Sequence, residues 1–72
     1  LIDKFESLPQ EKKKRILDAC IEEFALNGYD KASTNSIVKK AGISKGLLFH
    51  YFGSKKTLFL YVFDYCANYL IE

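Results

Sequence analysis

The sequence predicts an all-α fold, a small helical bundle built around a helix-turn-helix. Three observations predict it. Apolar residues recur at spacings of three and four along most of the chain, as on one face of a helix. Gly28, Gly42 and Gly53 punctuate the pattern, each just after an apolar-periodic run. Ser7, Ser33 or Thr34, Ser44 and Ser54 stand just before the runs, where hydroxyls cap helices. No strand pattern, internal repeat, linker or low-complexity segment is present. With 72 residues, 49% hydrophobic and 15% aromatic, the chain is one domain (1–72). It is too short for a Rossmann unit, a barrel or a two-domain enzyme, and too apolar to be disordered.

The first helix starts at Ser7-Leu8-Pro9-Gln10, where Ser7 and Gln10 have the spacing of a capping box and Pro9 occupies the first turn. Ile16, Leu17, Cys20, Ile21, Phe24 and Ala25 form its apolar side. Lys12, Lys13, Arg15, Asp18, Glu22 and Glu23 form its polar side. Asn27-Gly28 ends it, and Tyr29 to Ala32 is a connection. The second helix carries Ile37, Val38 and Ala41 and stops at Gly42. Ser44 caps the third, 45–52, with Ile43 and Leu48 placed as a hydrophobic staple. Gly53 stops it, and Ser54 caps the fourth, which runs from Lys55 to the end.

The fourth helix carries Leu58, Phe59, Val62, Phe63, Tyr65, Cys66, Tyr69, Leu70 and Ile71, with only Asp64, Asn68 and Glu72 as a clear polar stripe. A helix so widely apolar is buried on more than one side. We therefore expect it to lead into a C-terminal domain absent from these residues. The leucine at position 1, where a complete product starts with methionine, fits a fragment of a longer protein.

Two short helices joined by a glycine-containing turn of three to four residues have the form of a helix-turn-helix. Spacing alone leaves a plain helical hairpin open. Charge argues for the former. The net charge is only +2, yet Lys31, Lys39, Lys40, Lys45, Lys55 and Lys56 lie in a stretch, 31–56, without one acid. The other five basic residues face all nine acids. A basic segment coinciding with the helix-turn-helix is the footprint of a polyanion; a solvated face usually mixes signs. Lys55 and Lys56 fall in the first turn of a helix, where lysine is unfavourable by a few tenths of a kcal/mol, about 0.3. A phosphate docked there removes the conflict. Ser33, Thr34 and Ser44 mark two further helix N-termini able to present free N–H groups.

With Leu48 at the core, Tyr51 and Phe52 fall near the core side, Gly46 and His50 point out, and Leu47 and Phe49 flank them. In a major groove, apolar side chains meet thymine methyls and Lys45 donates to guanine or phosphate. Gly46 lets the helix backbone come close. The competing reading packs Phe49, and less so Leu47, on the first helix or a neighbouring chain. His50 is the sole histidine, with no metal-ligating company, so no metal site, cofactor or catalytic group is expected. Cys20 and Cys66 read as core thiols in a reducing compartment, although a bridge between them is possible. Residues 1–8 lack a leader pattern and no apolar run is long enough to span a membrane. The expected location is the cytoplasm.

Phe24-Ala25-Leu26-Asn27-Gly28-Tyr29, Thr34, Ile37, the run from Ala41 to Phe52 (AGISKGLLFHYF), Ser54-Lys55 and Leu58 resemble the DNA-binding domain of TetR/AcrR-type transcriptional regulators over roughly residues 10–65. The resemblance implies three helices forming a DNA-binding unit and a fourth leading to a ligand-binding and dimerisation domain. It implies that Ser33 and Thr34 hold phosphate, and that Ser44, Lys45, Gly46, Leu47 and Phe49 face bases or adjoining phosphates. His50 and Tyr51 brace the helix against the DNA backbone, Tyr51 through its hydroxyl, and Lys55 clamps a phosphate. Threonine is frequent in the family where Leu47 stands and tyrosine where Phe49 stands; losing both hydroxyls favours methyl contacts. An acid is frequent where Lys56 stands, and alanine where Val38 stands. The implied partners are double-stranded DNA with a palindromic operator, a second copy in a homodimer through the absent domain, and a small-molecule effector bound outside this chain. The implied activity is ligand-responsive regulation, as a repressor. The alternative is a helical protein–protein interaction module using Leu47, Phe49 and the fourth-helix aromatics.

Overall fold

The computed structural model describes the backbone of residues 2–71 and the side chains of residues 2–68. It contains α1 (Ile2–Glu6), α2 (Gln10–Lys31), α3 (Thr34–Ala41), α4 (Lys45–Phe52) and α5 (Lys55–Ile71), with no strand among the described residues. The all-α expectation holds, and α3 and α4 are the pair expected as a helix-turn-helix. Leu1, Glu72 and the side chains of Tyr69, Leu70 and Ile71, all used in reading the sequence, lie outside the described residues.

α1 has no counterpart among the four helices expected. Five residues do not repay helix nucleation alone; tertiary packing forms this turn. Phe5 is fully enclosed, with ring centroids 4.9 Å from Phe52, 5.8 Å from Tyr51 and 5.7 Å from Tyr61, the last two edge-on. The Tyr61 hydroxyl donates to Glu6 Oε2 at 2.9 Å. Burial, then the Glu6 carboxylate, pushes that phenol up to about 12. Ser7 serves α1 and not α2: its amide and hydroxyl both donate to the Asp3 carbonyl, at 3.1 and 2.9 Å. The expected capping box is therefore absent. α2 begins after Pro9 with no side-chain cap, its first bond running from the Lys13 amide to the Pro9 carbonyl.

α2 breaks at Gly28 but does not end there. Gly28 has φ 74° and ψ 179°, a backbone region essentially reserved for glycine. The helix resumes for one turn, closed by the Ala32 amide on the Gly28 carbonyl. Most of the expected connection is thus helical. Ile16, Leu17, Cys20 and Phe24 are buried as expected. Two assignments change. Ala25 is exposed, and Glu23, placed on the polar side, is buried along with Ala19. The reason is that α3 packs against α2 along the row Arg15, Ala19 and Glu23, one turn apart each.

The centre of the molecule is formed by Phe5, Ile16, Cys20, Ile37, Ala41, Leu48, Phe52 and Leu58. Cys20 and Cys66 are both free thiols, and burial pushes Cys20 up to about 12. On α5, Leu58 and Val62 face inward, while Leu60 and Phe63 stand 53% and 63% exposed. No described helix is long and apolar enough to cross a membrane.

Candidate nucleic-acid interface

α3 is fastened to α2 at both ends. At its start, the Ser33 hydroxyl accepts from the Ser36 amide at 3.2 Å, the expected cap. The Ser33 amide donates to Glu23 Oε2 at 2.9 Å, and Asn27 Nδ2 donates to the same oxygen at 2.9 Å. Lys40 pairs with Glu22 at 3.0 Å and lies 3.9 Å from Glu23. At the end of α3, Arg15 Nε donates to the Ala41 carbonyl at 3.0 Å. Reading α2 as an apolar stripe with a solvated back missed Glu23 and Arg15. The available signal was their spacing about small Ala19, which lets a neighbouring helix approach.

Gly42 then turns the chain with φ 72° and ψ 33°. Its amide and that of Ile43 both donate to the Val38 carbonyl, at 2.8 and 3.1 Å, which satisfies groups that a helix end otherwise leaves open. Ser44 caps α4, its hydroxyl accepting from the Leu47 amide at 3.0 Å. Leu48, Tyr51 and Phe52 seal the inner side of α4, and Gly53, with φ 83°, ends it.

Lys45, Gly46 and His50 are exposed, the last two as the helical arrangement requires. Leu47 and Phe49 are both half-buried, but they differ. Leu47 leans on the core, whereas Phe49 is not among the residues packed against it. This reverses the order in which the sequence favoured core packing for the two. Tyr51 turns its ring into the core, edge-on to Phe5. Its hydroxyl bonds to nothing in the described chain, and no side-chain polar atom there is sealed without a partner. The 6% of Tyr51 that remains exposed therefore includes the hydroxyl.

Ser44 and Thr34 lie at the two helix starts, Ser44 exposed and Thr34 half-buried. Ser33 has its amide occupied by Glu23, so a phosphate at this end of α3 meets only its hydroxyl proton and the neighbouring groups. Lys55 Nζ donates to the Asp30 carbonyl at 3.4 Å and sits 4.9 Å over the Tyr29 ring. It is engaged before any anion arrives. The basic stretch is thus acid-free in sequence but not in space, because α2 brings Glu22 and Glu23 to Lys40. Lys31, Lys39, Lys45 and Lys56 remain exposed. Among the described residues no three His, Cys, Asp or Glu side chains come together as a metal site.

Residues 16–62 match the family model of bacterial regulatory proteins, tetR family. The chain is 49% identical over 47 residues to the uncharacterized HTH-type transcriptional regulator YvdT of Bacillus subtilis (strain 168), covering 65% of this chain and 24% of that protein. It is 40% identical over 58 residues to the HTH-type transcriptional regulator UidR of Escherichia coli (strain K12), covering 81% and 30%. Against the fatty acid metabolism regulator protein of Bacillus subtilis (strain 168) identity is 33% over 61 residues, covering 85% and 31%. The chain thus spans about a quarter to a third of the length of these curated relatives.

Proposed function

The chain belongs to the tetR family of bacterial regulatory proteins, and from that premise we propose that it binds duplex DNA with α4 laid in the major groove. One observation carries the reading. α4 is sealed along its inner side while Lys45, Gly46 and His50 stand outside, within a stretch of the chain that holds no acid. Its eight residues suit a groove about 12 Å wide.

In this reading Ser44, Lys45, Gly46, Leu47 and Phe49 face bases or adjoining phosphates, and His50 braces the helix against the DNA backbone. Ser33, Thr34, the Tyr51 hydroxyl and Lys55 hold the backbone. The domain serves a longer, ligand-responsive regulator, a repressor, acting in the cytoplasm where its DNA is. A homodimer formed outside this chain places two α4 helices about 34 Å apart on a palindromic operator. A small molecule bound outside these residues alters that spacing and releases the DNA. The exposed Leu60 and Phe63 of α5 are assigned to contacts with the rest of the regulator.

The test is a titration of labelled duplex at several salt concentrations. Neutralising about four phosphates per domain gives a log–log slope of about −3.6. Lys45→Ala lowers affinity and blurs base preference, and Lys55→Ala weakens all sequences alike. A slope near zero, or no change in either variant, rejects the reading. The second reading, a protein–protein module using Leu47, Phe49 and the α5 aromatics, instead shows association that is nearly insensitive to salt.

A further inference from the structure

α1 stands outside the stretch that matches the family, residues 16–62. Yet it touches the candidate reading helix and α5 together. The Phe5 ring lies 5.8 Å from Tyr51 and 4.9 Å from Phe52 on α4, and 5.7 Å from Tyr61 on α5. Filling the core accounts for Phe5, which is fully enclosed. It does not account for Glu6, which is exposed and still accepts from the Tyr61 hydroxyl at 2.9 Å.

Apolar burial has no preferred direction. Ring contacts alone leave a helix of five residues free to slide or turn over α4. A hydrogen bond fixes both distance and angle. Glu6 is held twice, its side chain by Tyr61 of α5 and its carbonyl by Lys13 Nζ of α2 at 3.3 Å. Phe5 is the adjoining residue. With Glu6 held, the Phe5 ring stands edge-on to Tyr61 and to Tyr51, at interplanar angles of 82° and 65°. Edge-on pairs set the tilt of one ring against the next. The row Tyr61, Phe5, Tyr51 thus ends on a residue of α4 whose ring lies in the core and whose hydroxyl reaches the surface.

We propose that Glu6 and the Tyr61 hydroxyl are positioning groups for DNA binding: they latch α1 to α5 and, through Phe5, hold the Tyr51 hydroxyl where it meets the DNA backbone. The latch itself does not touch DNA. This inference rests on the major-groove reading, in which the Tyr51 hydroxyl is a backbone contact.

The test titrates parent and variants with a duplex that the parent enriches from a random pool, at a temperature where circular dichroism shows each one folded. Tyr61→Phe keeps the ring and the net charge and removes only the hydroxyl. It should bind about twofold to fivefold more weakly, the lower part of the range for one hydrogen bond. Glu6→Gln and Glu6→Ala lose the same charge, but only Glu6→Gln keeps an acceptor oxygen, so Glu6→Ala should bind more weakly than Glu6→Gln by a similar factor. In a Tyr51→Phe background, which has no hydroxyl to position, Tyr61→Phe should cost no further affinity. Parental affinity in Tyr61→Phe overturns the proposal, as does an equal loss with and without the Tyr51 hydroxyl. A parent that enriches no duplex rejects DNA binding itself and the proposal with it, so the two failures are distinguishable.

Discussion

α3 and α4 have the same length, eight residues each, the same kind of serine cap and the same glycine stop, yet they are held differently. α3 is tied to α2 by polar contacts at both ends: Glu23 on the Ser33 amide, Arg15 on the Ala41 carbonyl, and Lys40 on Glu22. α4 is held from beneath by Leu48, Tyr51 and Phe52, with Phe5 of α1 pressed against the two rings. The helix that carries the candidate reading face is anchored through its apolar side. Its one lysine, Lys45, is exposed, whereas Lys40 of α3 is paired with Glu22. Both helices pack apolar side chains into the core, and α3 adds polar ties to α2 on top of that packing.

The comparison breaks most severely at Phe5. Phe5→Ala removes the ring beneath α4 and should destabilise the domain by about 3–5 kcal/mol, much of what a chain of this size has. Phe5→Leu should lose about 1 kcal/mol. Urea denaturation gives the totals. Amide exchange in Phe5→Leu should show α4 losing protection before α3. The opposite order means that α1 does not support α4.

Glu23 is the matching test for α3. Glu23→Ala strands the Ser33 amide and the Asn27 side chain and should cost about 2 kcal/mol. Glu23→Gln, which keeps an acceptor oxygen, should lose about half that. Here α3 should open first. Arg15→Ala, at the exposed rim, should cost about 1 kcal/mol, measured in the same denaturant series. Equal stability of Glu23→Ala and the parent would show that the clamp contributes nothing.

The last effect is alkaline. The native state raises Tyr61 from an ordinary 10.0 to about 12 and Cys20 from 9.0 to about 12. It therefore favours the protonated forms of both. That contribution is complete below pH 9–10 and fades as pH climbs to about 12. Melting temperature should accordingly drop between pH 9 and 11, and less steeply in Tyr61→Phe. An identical drop in parent and variant removes Tyr61 from the account.

Much of the fold is legible in the residues. Gly42 and Gly53 stop their helices where expected, and Ser33 and Ser44 cap theirs. Ile37, Leu48 and Leu58 are buried. Gly46 and His50 point outward because helical periodicity alone puts them opposite Leu48. The residue pattern was misleading where a partner came from elsewhere. Ser7 resembled a cap for α2 but was captured by Asp3 of α1. Glu23 looked solvated until α3 covered it, and Lys40 and Lys55 looked available until α2 and the turn after Gly28 engaged them.

The division follows from distance along the chain. The serine caps and glycine stops of α3 and α4, and the outward direction of Gly46 and His50, depend on residues three or four apart, so the sequence by itself determined them. Which polar groups are buried, and which lysines are already occupied, only the tertiary structure decided. Those contacts join residues 10 apart for Glu23 and Ser33, 25 for Asp30 and Lys55, 26 for Arg15 and Ala41, and 55 for Glu6 and Tyr61. No local periodicity encodes such pairs, because they form only when packing of the apolar faces brings the helices together.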